Sequence, residues 1–423
     1  MRLVRQLRQL WHPGRLLGAS KAQQHRALSG MAAAHILVAG GGIAGLASAL
    51  ALARRRHRID LFEQAVAFAE VGAGIQLGPN VARRLQMLEV WEPLMRIAAK
   101  PEALVVRSAV RGDEIARLPL GNAMLRSYGA PYLCAHRADL HAVLLAAVRG
   151  TGAVTLNTAA RITDAVARAG AVCVASTATR AWEGDALVGA DGLWSTVRAR
   201  LVEDASPPRA TGHTAWRALI AQSALPAALR STQISVWLGP RLHAVAYPVR
   251  RGEALNVVVL AEAAPTGDAR DWDQASSLAT LQAATGHMHT GLQRLLEAMP
   301  SWRAWTLCDR PPLSGPEQMA GERVALVGDA AHPMLPYLAQ GAGMAIEDGV
   351  ALAEALDGCG AEEVPQRLAH YAQGRWERNA QVQARARRNG EIFHATGLVR
   401  VGRDAALRLL GPRLLDVPWL YGA

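Results

Sequence analysis

The chain has 423 residues, enough to bury a large core and to fold as two or three domains. Its net charge is +11, but Arg2, Arg5, Arg8, Arg15, Lys21 and Arg26 supply six of those charges within an acid-free stretch of thirty residues. No basic run with interleaved aromatics follows, which excludes nucleic-acid binding as the main role. Cys134, Cys173, Cys308 and Cys359 show neither CxxC nor metal-ligand spacing. They argue for a reduced compartment, the cytoplasm, and against both a disulfide framework and a bound metal.

Residues 1–30 read as an extension, either a targeting segment or an upstream start without a structural role, and the reading is that they are disordered. The uncharged run from His35 to Ala53 is interrupted by Gly40, Gly41, Gly42 and Gly45, so it is not a membrane span. Instead, His35 to Ala39 is expected as a strand, GGGIAG as a tight turn, Leu46 to Arg56 as a helix and Arg58 to Phe62 as a second strand ending at Glu63. This is the βαβ dinucleotide fingerprint. Gly40 turns the chain, Gly42 admits a pyrophosphate, Gly45 lets helix meet strand, and Glu63 comes at the spacing of a ribose-binding carboxylate. The fingerprint alone does not separate NAD from FAD.

Gly72, Gly74 and Gly78 then imply a backbone in close contact with a ligand or an ordinary surface loop, with Gln76 as a possible donor or acceptor. Helix is expected from Asn80 to Met95, and a strand pair over 103–120 around Arg111-Gly112-Asp113. PYLCAHRADLHAVLLAAV leads into another helix, with Asp139 in its first turn and Arg137 just before it. Arg137 is either a solvated end charge or a phosphate or ring contact. Ala171 to Ser176 and Ala186 to Val188 read as strands, the second delivering Asp191 beside Gly192 before a helix that starts near Trp194.

From Thr211 to Arg310, alternating segments such as Gln233–Leu238, His243–Val249 and Ala254–Leu260 read as antiparallel sheet. His243 and Tyr247, four apart on one strand, share a face. His213 and Arg217 are further pocket candidates, the arginine suited to a carboxylate.

In RVALVGDAAHPMLPYLAQGAGMAIEDG, a buried strand delivers Asp329 at its carboxyl end, and a helix opens at Gly341-Ala342-Gly343. A carboxylate for a sugar hydroxyl beside a positive helix end for an electron-rich ring suits a flavin nucleotide. The sheet is therefore an insertion into a discontinuous nucleotide fold. The remainder is helical, with Arg367, Arg375, Arg378, Arg385, Arg387 and Arg388 expected as a solvated basic face.

GGGIAG with Glu63, HRADLH, GADG and GDAAHPMLPYLAQGAGMAIED, in this order, resemble the single-component FAD-dependent aromatic hydroxylases of the p-hydroxybenzoate hydroxylase type. The likeness is strongest to the branch holding salicylate hydroxylase, 3-hydroxybenzoate 6-hydroxylase and 6-hydroxynicotinate 3-monooxygenase. Gln76, where the 6-hydroxynicotinate enzymes have His, and Pro336, where the 3-hydroxybenzoate branch has Gln, leave the substrate open. The implied fold is α/β: a Rossmann-like FAD-binding domain, an inserted antiparallel β-sheet substrate domain and C-terminal helices. The implied division is 31–210 and 316–360 for the FAD-binding domain, with a substrate-domain strand pair near 103–120, 211–315 for the substrate domain, and 361–423 for the helical region.

The resemblance also implies roles. Glu63 and Gln64 would hold the adenosine ribose, Gln76 would lie near the flavin, and Arg137 would contact FAD. Asp329 would bind the ribityl or pyrophosphate region, with Ala342 bordering the ring and Gly341 and Gly343 beside it in the cofactor set, and Asp191-Gly192 would serve FAD and nicotinamide nucleotide. Gly40, Gly42, Ala44 and Gly45 complete the cofactor set.

NADH or NADPH would reduce FAD, O2 would add at C4a, and the hydroperoxide would hydroxylate a phenolic acid such as a hydroxybenzoate. Tyr247, with His243, would take the phenolic proton, Tyr247 as acceptor. Partners would be the small aromatic substrate, O2 and NAD(P)H, with no nucleic acid and no stable membrane insertion; a homodimer stays open. Rival readings are a hydroxylase of a quinone precursor, a flavoprotein without oxygenase activity, and an NAD-binding dehydrogenase using only the first fingerprint.

Overall fold

The computed structural model describes residues 33–68, 72–168, 171–176, 180–202, 206–264 and 267–423. The expectations for residues 1–30 fall outside this range.

The first unit follows the fingerprint. Strand β1 (His35–Ala39) feeds helix α1 (Ile43–Arg54), and β2 (Arg58–Phe62) returns parallel to β1. Gly40 turns the chain at φ +108°, and a β-carbon there would fall 2.3 Å from the carbonyl oxygen of Ala190. A side chain at Gly45 would collide with the Gly40 carbonyl, so the helix can rise directly off the strand end only with glycine at both positions.

A glycine-rich strand, β3 (Gly74–Leu77), follows, then α2 (Pro79–Met87) and α3 (Trp91–Met95). The single helix expected over 80–95 is broken at Glu89, which takes a positive φ of 49°. Strands β4 (Ala103–Ser108) and β5 (Glu114–Pro119) form the expected pair. After α4 (Gly121–Tyr128), β6 (Leu133–His136) pairs antiparallel with β3, and α5 (Arg137–Gly150) begins at Arg137 itself. Neither strand of this ribbon was expected, because four residues are too few for a period-two pattern to show.

Strands β7 (Val154–Asn157), β8 (Ile162–Arg168), β9 (Ala171–Ser176), β10 (Ala181–Gly184) and β11 (Ala186–Gly189) lead to one 3-10 turn at Arg198–Arg200. The helix expected from Trp194 does not form. The Asp191 carboxylate accepts from the amides of Thr196 and Val197 at 2.7 and 3.2 Å and from the Ser195 hydroxyl, holding this segment as a capped turn.

The insertion is an eight-stranded sheet containing β4, β5, β12 (Arg209–Ala221), β13 (Ile234–Gly239), β14 (Leu242–Val249), β15 (Ala254–Glu262), β16 (Gln274–Ser276) and β17 (Trp302–Asp309). Helices α6 (Leu278–Thr285) and α7 (Thr290–Glu297) cover one face, where Leu281, Leu292 and Leu295 pack on Leu242, Ala244 and Ala246. The opposite face carries His243, Val245 and Tyr247.

Short strands β18 (Ala320–Gly321) and β19 (Val324–Leu326) then return to the first sheet, in the order β18-β19-β11-β1-β2-β7. All neighbours in it are parallel except β18 with β19. Four helices complete the chain beyond the short loop at 333–340 and a first one, α8 (Gly341–Ala355): they are α9 (Val364–Phe393), α10 (Gly397–Leu410), α11 (Pro412–Leu415) and α12 (Pro418–Tyr421). The arginine face on α9 is only partly solvated. Arg375 is buried, and both it and Arg378 ion-pair with Glu347 at 2.9 Å, because α9 lies across two acids of α8.

Candidate active site

The parallel register aligns the strand ends that matter. Ala39 pairs with Phe62 on one side and Gly189 on the other, and Gly189 pairs with Leu326. Glu63, Asp191 and Asp329 therefore follow the carboxyl ends of β2, β11 and β19, with the Gly40 turn between them. Three strand spacings separate the first acid from the last, roughly 14 Å, a span that one extended dinucleotide bridges.

The Glu63 carboxylate accepts from the amides of Gly41 and Ala65 at 2.9 and 2.8 Å. Each oxygen keeps a lone pair for a ribose hydroxyl. Gln64 beside it is exposed. Along the turn, Gly40, Gly42 and Ala44 keep open surface while Gly41, Ile43 and Gly45 are buried, so one edge of the fingerprint faces a cleft.

Protein atoms crowding the cleft desolvate the Asp329 carboxyl and push it above the usual range, against the pull of the Arg137 and His332 charges. Its side chain nevertheless keeps open surface, as a group lining a cleft does. Gly341, at the first turn of α8, lies beside it: a β-carbon there would come within 4.0 Å of Asp329 Oδ1. Ala342 is half-buried, and Gly343 is held against Val81 of α2. Gln340, the N-cap, accepts from Asn80 at 3.2 Å, and the Nε2 of Gln340 is buried without a partner among the described residues.

A buried ionic network braces this edge. Asp348 accepts from the Gly328 amide at 3.0 Å, from His332 at 2.5 Å, and from Arg375 and Asn379 at 3.0 Å each. Burial alone would raise its carboxyl; the charges of His332 and Arg375 and these hydrogen bonds override that and bring it to about 2. His332 thus ties the strand-end loop to α8 instead of facing a ligand.

The cleft continues toward the inserted sheet. Arg137 heads α5 and lies over the ring of Trp272 at 5.1 Å. Arg217 stacks on the same ring at 4.7 Å and pairs with Asp273 at 2.5 Å, so it is committed within its own domain. The β3–β6 ribbon covers Tyr247: a β-carbon at Gly74 would fall 2.5 Å from the Tyr247 ring. Gln76, on the same ribbon, accepts from the Tyr132 hydroxyl at 2.8 Å. Tyr247 shares its packing cluster with Met334, Leu338 and Met344, which places the sheet face against the loop that leads into α8.

His243 is buried at the other end of that face. Its Nδ1 lies 2.9 Å from Nε2 of His394, and its ring centroid is 5.3 Å from that of Tyr337. Burial, reinforced by His394 and His213, holds His243 well below the usual imidazole range, and burial drives the Tyr247 phenol well above its own. At neutral pH the pair is a neutral imidazole and a neutral phenol.

Sequence reasoning missed Asn80, Gln340, Tyr337 and His394. Tyr337 and Gln340 lay within a motif already singled out, whereas His394 sits near the end of a long helix with no local signal.

A strand-end carboxylate pair, a glycine-lined edge and two helix amino termini around one cleft define a dinucleotide-binding flavoprotein fold with a second domain closing the pocket. The FAD binding domain family matches the chain over residues 33–386, and the chain belongs to that family. It is an FAD-dependent monooxygenase that uses NAD(P)H.

Among its relatives, the 3-hydroxybenzoate 6-hydroxylase of Polaromonas naphthalenivorans (strain CJ2) is 38% identical over 393 residues, 92% of this chain and 95% of that protein. The 3-amino-4-hydroxybenzoate 2-monooxygenase of Streptomyces cremeus is 37% identical over 394 residues, 92% and 94% of the two chains. The solved structure of a salicylate hydroxylase substrate complex superposes with a TM-score of 0.78 at 25% identity, covering 93% of this chain and 96% of that one. No helix among the described residues is long and apolar enough to cross a membrane.

Proposed function

We propose that the chain hydroxylates a phenolic aromatic acid of the hydroxybenzoate class, with the substrate held between the His243–Tyr247 face of the inserted sheet and the amino terminus of α8. The observation that carries this reading is the juxtaposition of that face with the loop running from Asp329 to Gly341. The aromatic acids named in the relatives support the substrate class.

In the cofactor cleft, Glu63 and Gln64 take the adenosine ribose. The open edge at Gly40, Gly42, Ala44 and Gly45 takes the pyrophosphate, and Asp329 binds the ribityl side. Gln76, Arg137 and the Gly341-Ala342-Gly343 turn border the ring. Asp191 contributes through its backbone, since its carboxylate caps the following turn. FAD, when bound, supplies the redox chemistry that activates O2.

The protein's own task is to bind the phenol, exclude water and move its proton. The sequence reading gave the acceptor's part to Tyr247. Burial keeps both groups neutral and opposes charging either, so the protonated Tyr247 donates a hydrogen bond to the substrate oxygen, while the neutral His243, roughly 13 Å further along the strand, lines the far end of the face.

The same reading divides the chain at about 211, 316 and 361 and places the protein in the cytoplasm. A homodimer would suit the exposed Leu398, Val399 and Leu409 of α10. The test is a panel of hydroxylated benzoates and pyridines assayed for stimulated NAD(P)H consumption, with products identified by mass. A product one oxygen heavier from a phenolic acid is expected. Consumption that yields only hydrogen peroxide with every member would overturn the substrate class.

A further inference from the structure

Beside the proposed substrate face lies a second cavity of about 540 Å³, lined by residues that include His213, Glu262, Tyr337, Arg387 and His394. Three of them converge: one donor atom each from His213, Glu262 and His394 lies within 4.8 Å of the other two. They come from β12, the end of β15 and the residue after α9, so no local spacing in the sequence announces them.

Nδ1 of His213 and Nδ1 of His394 are both buried without a hydrogen-bond partner among the described residues. Unpaired buried polar atoms are costly, and neutral imidazole nitrogens beside a carboxylate are the donor set that borderline-soft divalent cations select. Of the arginines nearby, Arg387 pairs with Asp309 at 2.7 Å, Arg310 donates to the carbonyls of Leu193 and Ser206, and Arg241 contacts the Glu262 carboxylate at 3.5 Å, an exposed pair that a cation would displace.

The centre of a triangle with 4.8 Å sides lies about 2.8 Å from each corner. Reaching the zinc–nitrogen distance of about 2.0–2.1 Å takes an inward move of about 0.7 Å per donor. The exposed Glu262 side chain and two small ring rotations provide that.

We propose that His213, Glu262 and His394 form a binding site for a zinc-class divalent cation, with an open coordination position toward the cavity. Occupancy reaches the sheet face through one hydrogen bond, the 2.9 Å contact between Nε2 of His394 and Nδ1 of His243. A cation on Nδ1 of His394 leaves that ring's proton on Nε2, which then donates to Nδ1 of His243.

The test uses untagged, FAD-loaded enzyme stripped with a chelator and titrated with zinc chloride by calorimetry. Cobalt(II) provides a second probe through its absorption at wavelengths beyond those of the flavin. One equivalent of zinc is expected in the unaltered protein, with affinity falling about tenfold or more in Glu262→Gln and in His213→Asn. Flavin content and circular dichroism report whether each variant is folded, and Glu262→Gln changes an exposed side chain.

No saturable uptake, or uptake unchanged in both variants, would overturn the site.

Discussion

Gly328 rests against Ala44: a β-carbon built on Gly328 would lie 2.8 Å from the β-carbon of Ala44, and Gly328 holds φ at +59°. The contact joins the loop after β19 to the first helix of the fingerprint, nearly three hundred residues away in sequence. It is one of the contacts, with the β11–β19 pairing, that hold the two halves of the cleft together.

Gly328→Val puts both a strained backbone and a steric clash at this joint. We predict a folded protein that loses most of its flavin, seen as a low ratio of visible to ultraviolet absorbance after purification, together with a lowered melting temperature. Normal flavin content would show that the joint tolerates displacement.

Asp348 supports the same loop from beneath. Its folded carboxyl lies near 2 against an ordinary value of 3.8, so its contribution is fully present above about 3.8 and is lost as pH falls toward 2. The shift corresponds to roughly 2 kcal/mol of pH-dependent stability. Asp348→Asn leaves Arg375 and His332 facing a neutral amide in the interior and is predicted to cost about 3–5 kcal/mol. Chemical denaturation of both proteins across pH 3 to 7 checks this. A wild-type stability that stays flat below pH 4, or a variant as stable as the parent, would contradict it.

Tyr247→Phe is predicted to retain FAD and to slow hydroxylation by about 10²- to 10⁴-fold. His243→Asn should likewise retain FAD and slow hydroxylation. Single-turnover product yield separates these effects from cofactor loss. Unchanged product formation in the tyrosine variant would remove that residue from the chemistry.

The nucleotide half was readable in the sequence because its rules are local. Gly40 and Glu63 lie within one βαβ unit, and the run ending at Asp329 carries its glycine and acid in register. The inserted sheet was legible from alternation, including the shared face of His243 and Tyr247. What escaped was set by packing at long range. The basic face expected on α9 was not a surface at all at Arg375, because the paired acids Glu347 and Asp348 draw it inward. Arg217 could not be placed until Asp273 and Trp272 were seen beside it. His394 gains its meaning only from a neighbour 151 positions earlier. The ribbon of β3 and β6 was too short for periodicity to reveal, although its glycines did signal close contact, with Tyr247 beneath.

Two distant stretches of one chain clasping a single FAD is the claim beneath all of this. The most direct measurement is the flavin dissociation constant of Asp329→Ala beside that of Glu63→Gln, each from fluorescence titration of the apoprotein. Both variants are predicted to release the yellow cofactor on purification and to bind added FAD at least about tenfold more weakly than the parent. Full retention of flavin by the Asp329 variant, with an unaltered dissociation constant, would contradict the account.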